Sequence, residues 1–268
     1  MSAGKNTEHD IVIRYKKGEF ESFPLELIGE EPLLIRINSK PYSVIMRTPG
    51  EEIFHAAGFC LGEGIVDSPD DFASIGYCKD DDPNVIDIYI KDKRQEKVHD
   101  ILDRKSFVSQ TSCGICGKEM VKDIYQILTP SENKFTIKVD NIYDCINKLS
   151  ENQNYYKTTR GSHAALILDD KLDKISFAED VGRHNALDKA IGKAFMNKKL
   201  GKASVLVLSS RISYELIQKA ARAHLPIMIS HSRPTFLAVK MGKALNMTLV
   251  CPGKGSQLLI CSSKDRII

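Results

Sequence analysis

The sequence lacks tryptophan and lacks any apolar run near the length of about 18 residues that a membrane-spanning helix needs, so we expect no transmembrane segment. Residues 1–10 are polar and mixed in charge, without the apolar centre of a secretory signal, and we expect a frayed tail there. A net charge of +3 is too small to indicate a nucleic-acid-binding protein. These absences favour a cytoplasmic protein that binds neither membrane nor nucleic acid.

Seven cysteines, an odd number, are typical of a reduced intracellular chain rather than of a disulfide framework. Five of them stand among apolar neighbours, where free cysteine is commonly buried. We expect these to be core residues: Cys60, Cys78, Cys145, Cys251 and Cys261.

The chain divides by pattern into two parts. Residues 11–135 mix short strands and helices, which predicts a smaller α+β domain. Residues 136–268 alternate strands with helices, and the uninterrupted apolar run Ala203 to Leu208 is typical of a strand covered on both faces. The second part is therefore predicted to be an α/β domain built on a largely parallel sheet.

Polar loops follow the predicted strands of this second part, and several contain arginine. Such loops suit phosphate, because ligands of α/β sheets lie where strands end and helices begin. Any single Ser or Asp before a helix is usually only a cap. Arginine at three successive junctions, however, favours a phosphorylated ligand such as a nucleotide. The residues concerned are Arg183 with His184, Arg211, Ser232 with Arg233, the earlier pair Arg160 and His163, and the turn Gly253, Lys254 and Gly255.

Cys113 and Cys116 form the sharpest local motif, a Cys-Gly-Ile-Cys-Gly segment flanked by basic residues. Basic neighbours and the Cys-x-x-Cys spacing lower a thiol's pKa and favour the nucleophilic thiolate. Three interpretations stay open: a persulfide carrier, a dithiol redox switch, or half of a zinc site. A complete zinc site is disfavoured, because the sequence offers no second Cys-x-x-Cys and no His-x-Glu of a zinc deaminase. We therefore expect no metal site.

Spaced motifs in the chain resemble those of the FdhD family of formate dehydrogenase accessory proteins. The resemblance runs from Glu31 to the C-terminus. Its segments are Arg47-Thr48-Pro49-Gly50-Glu51-Glu52, Gly58-Phe59, Glu63-Gly64-Ile65, Ser112 to Gly117, Gly161 to Ala165, Glu179 to Ala186 with Asp188-Lys189 and Gly192, and Pro234-Thr235 with Leu237 to Val239.

The resemblance implies a sulfur carrier with sulfurtransferase-type chemistry. Family members take sulfur from a cysteine desulfurase and pass it to the molybdenum (or tungsten) bis-pterin guanine dinucleotide of formate dehydrogenase. The persulfide would form on Cys113, with Cys116 beside it. The family's cofactor-binding stretch falls on Cys251, Pro252, Gly253, Lys254, Gly255 and Ser256. A homodimer and a cytidine-deaminase-like three-layer fold for the second part are implied as well.

This sequence departs from the family pattern in the proposed ligand loops, at Arg160, Ser210 and Arg233 and in the final turn. Two other functions remain: a chaperone that binds the cofactor without transferring sulfur, and a dithiol redox switch.

Overall fold

The structure is a computed structural model that describes residues 6–78, 82–104, 128–255 and 257–268. The first part of the chain contains a two-stranded hairpin and a four-stranded sheet with two helices. Its elements are β1 (Thr7–Lys16), β2 (Glu19–Ile28), β3 (Glu31–Ile37), β4 (Lys40–Arg47), α1 (Glu52–Gly62), β5 (Phe72–Tyr77), β6 (Val85–Ile90) and α2 (Asp92–Arg104).

The second part is a six-stranded sheet with helices. Its elements are α3 (Val139–Asn152), α4 (Asn154–Thr159), β7 (His163–Asp169), β8 (Lys174–Asp180), α5 (Arg183–Met196), β9 (Ala203–Leu208), α6 (Tyr214–Arg222), β10 (Ile227–Ser230), α7 (Phe236–Ala244), β11 (Thr248–Pro252) and β12 (Leu258–Ser262).

The six strands are ordered β12-β11-β10-β9-β7-β8. Among the neighbouring pairs of these strands, β9–β10 and β10–β11 are parallel, whereas β8–β7, β7–β9 and β11–β12 are antiparallel. The prediction of a largely parallel sheet was therefore wrong, and the sheet is mixed. Hairpin-like returns at both ends of the sheet explain the difference, because the short turn at Asp169 to Asp173 and the turn after Pro252 can join only antiparallel neighbours.

Alternate residues of β7 and β9 face opposite sides of the six-stranded sheet. One side packs against α3, with Ile142 and Leu149 against Leu166 and Val207. The other side packs against α5, α6 and α7 and continues into the four-stranded sheet of the first part. The predicted mixed α/β class is thus confirmed, and one hydrophobic core joins both parts of the chain.

The joint between the parts is the crossing of α1 with α5. A Cβ added to Gly58 would lie 1.9 Å from the Asp188 carbonyl oxygen, and one added to Gly192 would lie 1.8 Å from that of Phe54. Only glycine lets the two backbones approach this closely. The crossing holds the loop before α5 beside the strand end at Arg47.

The predicted strand Ala203–Leu208 is present as β9, whereas the β1–β2 hairpin, β5 and the short α4 were not anticipated. Residues 7–10 begin β1 instead of forming a frayed tail. Cys113, Cys116 and Ser256 lie outside the described residues.

Candidate functional site

Five of the predicted ligand loops meet at one edge of the six-stranded sheet. The parallel strands β9, β10 and β11 all end at this edge. Because β7 runs antiparallel to β9, its first residue, His163, lies there too, directly paired with Asp180 at the end of β8. The edge therefore brings together Arg160, His163, Arg183, His184, Arg211, Ser232 and the Gly253–Lys254–Gly255 turn, as the sequence predicted.

Hydrogen bonds fix the central loops of this edge to one another. The Ala164 N–H donates to the Ser209 hydroxyl at 2.8 Å, and the Ser209 N–H donates to the Ala164 carbonyl at 3.1 Å. The buried Ser230 hydroxyl lies 2.6 Å from the Ser210 carbonyl and accepts the Ser232 N–H at 3.0 Å. The hydroxyl groups of Ser209 and Ser230 thus hold the neighbouring loop backbones in place.

A cavity of about 480 Å³ opens at the β7 side of the edge. Its lining includes Lys157, Arg160, His163, Ser209 and His231. Its volume lies within the usual range of small-molecule sites, roughly 300–1,000 Å³. Two cations and several hydroxyl and imidazole groups therefore surround a space large enough for part of a nucleotide.

The half-buried His163 has its pKa lowered, first by burial and then by the nearby positive charges of Arg183 and His184. A lowered pKa keeps the imidazole neutral at physiological pH, so it can accept one hydrogen bond and donate another. The positive charge of the cavity comes instead from Lys157 and Arg160. Arg160 stands at the end of α4 with φ of 56°, and its guanidinium lies 5.1 Å from the Tyr156 ring.

Glu179 orients α4, and sequence reasoning did not single it out. Its buried carboxylate accepts the backbone N–H groups of Tyr155 at 2.9 Å and Tyr156 at 3.0 Å, which are free donors in the first turn of α4. It also accepts the Ser162 hydroxyl at 2.7 Å. One carboxylate in β8 therefore positions both the helix that presents Arg160 and the segment that leads to His163.

Asp180 fixes the loop before α5. One carboxylate oxygen accepts the Gly182 N–H at 2.9 Å and the Asn185 amide at 2.8 Å. The other lies 2.7 Å from the ammonium of Lys189 and accepts the Thr48 N–H at 3.1 Å. Asp180 and Lys189 are both almost fully buried, and Lys189 also donates to the Thr48 carbonyl at 2.7 Å. Through Thr48 this ion pair ties the Arg183 loop to the first part of the chain.

A second close pair of titratable side chains lies at the α5 N-terminus. The His184 Nε2 lies 2.7 Å from a carboxylate oxygen of Glu215, at the start of α6. The close approach of the His184 imidazole is the main cause that lowers the pKa of Glu215, and nearby Arg183 acts in the same direction. The Nε of Arg183 is buried and has no hydrogen-bond partner among the described residues, so this group has a donor available for a ligand.

Cys251 was predicted both as a core cysteine and as the first residue of the cofactor-binding stretch. Its side chain is fully buried, and burial together with neighbouring Cys261 raises the pKa of its thiol to about 11. The thiol is therefore protonated and inaccessible at neutral pH, whereas Lys254 and Gly255 in the turn after it are exposed. Within the described part of the chain no cluster of His, Cys, Asp and Glu could hold a metal ion.

The family model described as FdhD/NarQ matches residues 28–268 of the chain. The chain belongs to the FdhD/NarQ family. Relatives named sulfur carrier protein FdhD include one from Streptomyces coelicolor, 34% identical with 98% of this chain and 96% of the relative covered. Another, from Mycobacterium tuberculosis, is also 34% identical, with 98% and 99% covered.

A solved structure from Desulfotalea psychrophila, provisionally described as a formate dehydrogenase accessory protein, shares the fold of this FdhD/NarQ member. The TM-score is 0.78 at 19% identity, with 98% of this chain and all of the other covered. No helix in the described residues has the length and apolarity needed to cross a membrane.

Proposed function

We propose that this FdhD/NarQ member is a cytoplasmic sulfur carrier that loads sulfur on Cys113 and delivers it to a molybdenum (or tungsten) bis-pterin guanine dinucleotide held at the sheet edge. The observation that carries the proposal is the meeting of five ligand loops at one edge, with Arg160, Lys157 and Arg183 supplying positive charge. The names of the relatives support the sulfur-carrier part.

The guanine dinucleotide is a client of the protein, and its phosphates suit this edge. Arginine guanidinium groups bind phosphate oxygens through paired hydrogen bonds. The Arg183 Nε has no other partner among the described residues, and the α5 N-terminus beside it offers free backbone N–H groups. We assign the phosphates to Arg160, Arg183 and the neighbouring loops, and leave the buried Cys251 thiol out of the contact set.

Loading is a thiolate exchange. The Cys113 thiolate attacks the terminal sulfur of a cysteine desulfurase persulfide, the donor's S–S bond breaks, and the donor leaves as a thiolate. Delivery of sulfide needs two electrons. The Cys116 thiol, three residues further along, supplies them by attacking the Cys113 sulfur, which releases hydrosulfide and leaves a Cys113–Cys116 disulfide. A cellular dithiol then reduces that disulfide.

The remaining parts of the proposal follow from the family. The client cofactor would serve formate dehydrogenase, the active species would be a homodimer, and the sheet order β8-β7-β9-β10-β11 supports a cytidine-deaminase-like class for residues 136–268. The sheet edge also favours a second candidate, a chaperone that binds the cofactor without transferring sulfur, because this edge suits phosphate binding whether or not a cysteine reacts.

Formate dehydrogenase activity in cells that lack their own carrier separates these candidates. For the carrier, Cys113→Ala and Arg183→Ala both abolish activity, while the matched change Cys78→Ala at a buried cysteine leaves it intact. For the chaperone, only Arg183→Ala reduces activity. Full activity of Cys113→Ala would therefore refute sulfur transfer, and full activity of Arg183→Ala would refute the assigned phosphate site.

A further inference from the structure

The β1–β2 hairpin forms an arm that stands apart from the two larger sheets. Its strands are joined by the two-residue turn Lys17–Gly18, and each strand of ten residues extends about 33 Å. Among the described elements the arm packs appreciably only against α4, through β2. A two-stranded hairpin alone is marginally stable in water, so an arm of this length requires another partner.

The arm exposes apolar side chains on one face. Ile11 is 64% exposed, Ile13 66%, Tyr15 65% and Phe20 77%. They share a face, because the three β1 residues alternate along the strand and Phe20 pairs directly with Tyr15. The outer edge of β1 is also open, since within the described chain β1 pairs only with β2. An open edge beside an apolar face favours pairing with a further strand.

The order of charges along β1 identifies that strand. Glu8 and Asp10 precede the apolar centre Ile11-Val12-Ile13, and Arg14 and Lys16 follow it. We propose that β1 pairs antiparallel with β1 of a second copy of this chain, across a twofold axis at Val12. The two arms then form one four-stranded sheet.

This pairing sets Glu8 opposite Lys16 and Asp10 opposite Arg14, and symmetry repeats both pairs. Ile11 of one copy lies opposite Ile13 of the other, so the apolar faces coincide. A pairing register shifted by two residues keeps the apolar side chains of both copies on one face of the sheet but halves the number of opposite-charge pairs. Parallel pairing in register would place like charges together. The charges therefore select one register instead of merely blocking edge pairing.

Arg14 remains able to form the proposed pair with Asp10 of the second copy. It already contacts Glu21 at 2.8 Å on the neighbouring strand, but its side chain is still 42% exposed, and a guanidinium has five donor hydrogens. The arm ends at Ile28, where the residues that match the family model begin, so its pairing does not depend on the sulfur chemistry. It rests on the proposed function in one respect, because it gives the homodimer proposed there a specific interface.

A cysteine cross-link tests the pairing in the full-length protein. In Val12→Cys, the two new thiols face each other across the axis, where opposed Cβ atoms stand about 4.5–5.5 Å apart and can form a disulfide. The matched control is Ser22→Cys on β2, which lies on the far side of β1 from the axis and so stands three strand spacings from its symmetry mate. After mild oxidation, peptide mapping should find a disulfide between the two position-12 thiols in the first variant and none between the position-22 thiols of the control. Equal yields in both would overturn the proposal.

Charge exchange then tests the register. In the Val12→Cys background, Asp10→Arg places like charges opposite each other and should reduce the cross-link to the control level. Adding Arg14→Asp restores opposite charges and should restore the cross-link. A cross-link that survives Asp10→Arg, or one that the second change fails to restore, would refute the self-pairing. Circular dichroism of each variant checks that the fold is retained.

Discussion

The buried pair of Asp180 and Lys189 provides the sharpest stability prediction. In Asp180→Asn the side chain keeps its size but loses its charge, and the buried Lys189 ammonium keeps only neutral partners such as the Thr48 carbonyl at 2.7 Å. Removing one member of a buried ion pair costs about 3–5 kcal/mol. With a urea m-value of about 2 kcal/mol per M, the unfolding midpoint should fall by roughly 1.5–2.5 M.

Two further variants make this measurement decisive. Asp70 pairs with Lys198 at 3.3 Å on the surface, with side chains 75% and 69% exposed, so Asp70→Asn should cost less than about 1 kcal/mol. The double variant Asp180→Asn, Lys189→Met removes both charges and should recover part of the lost stability. The reasoning fails if Asp180→Asn and Asp70→Asn shift the urea midpoint equally, or if the double variant is less stable than Asp180→Asn by the full cost of a second independent change.

Three other predictions concern packing, pH and thiol reactivity. Gly192→Ala should lower the melting temperature strongly or prevent folding, because the added Cβ would overlap a carbonyl oxygen of α1. In the control Gly201→Ala, the added Cβ meets no atom within 4 Å, so the melting temperature should not change. Equal melting temperatures of the two variants would contradict the helix crossing. Burial and nearby cations lower the pKa of His55 well below its unfolded value, so the folded state binds fewer protons and stability should fall as pH drops below about 6.5. His55→Leu should reduce that slope by up to about 1.4 kcal/mol per pH unit in urea titrations, and an unchanged slope would refute the assignment. Burial raises the thiol pKa values of Cys251 and Cys145 to about 11, so iodoacetamide at pH 7.5 should label neither in the native protein, and peptide mapping that finds rapid labelling would contradict their burial.

The strongly patterned elements were predictable from sequence. Ala203–Leu208 was placed correctly because an unbroken apolar run at strand length has few other solutions. The convergence of the ligand loops followed from a general property of α/β sheets, the meeting of parallel strand ends.

Features set by long-range contacts escaped prediction. The arm was missed because residues 1–10, which contain the start of β1, are polar and mixed in charge and were interpreted as a frayed tail. Glu179 and Asp180 gave no signal of their positioning role, since their partners Tyr155 and Thr48 are distant in sequence. The burial of Cys251 was predicted from its apolar neighbours and is confirmed, whereas its place in the ligand stretch came only from the resemblance.

The central claim is that sulfur resides on Cys113. The most direct measurement is the intact mass of the purified protein after incubation with a cysteine desulfurase and cysteine, for wild type, Cys113→Ala and the matched control Cys261→Ala. We expect a gain of one sulfur atom, reversed by a reductant, in wild type and Cys261→Ala but not in Cys113→Ala. A gain that persists in Cys113→Ala, or no gain in any of the three proteins, would contradict it.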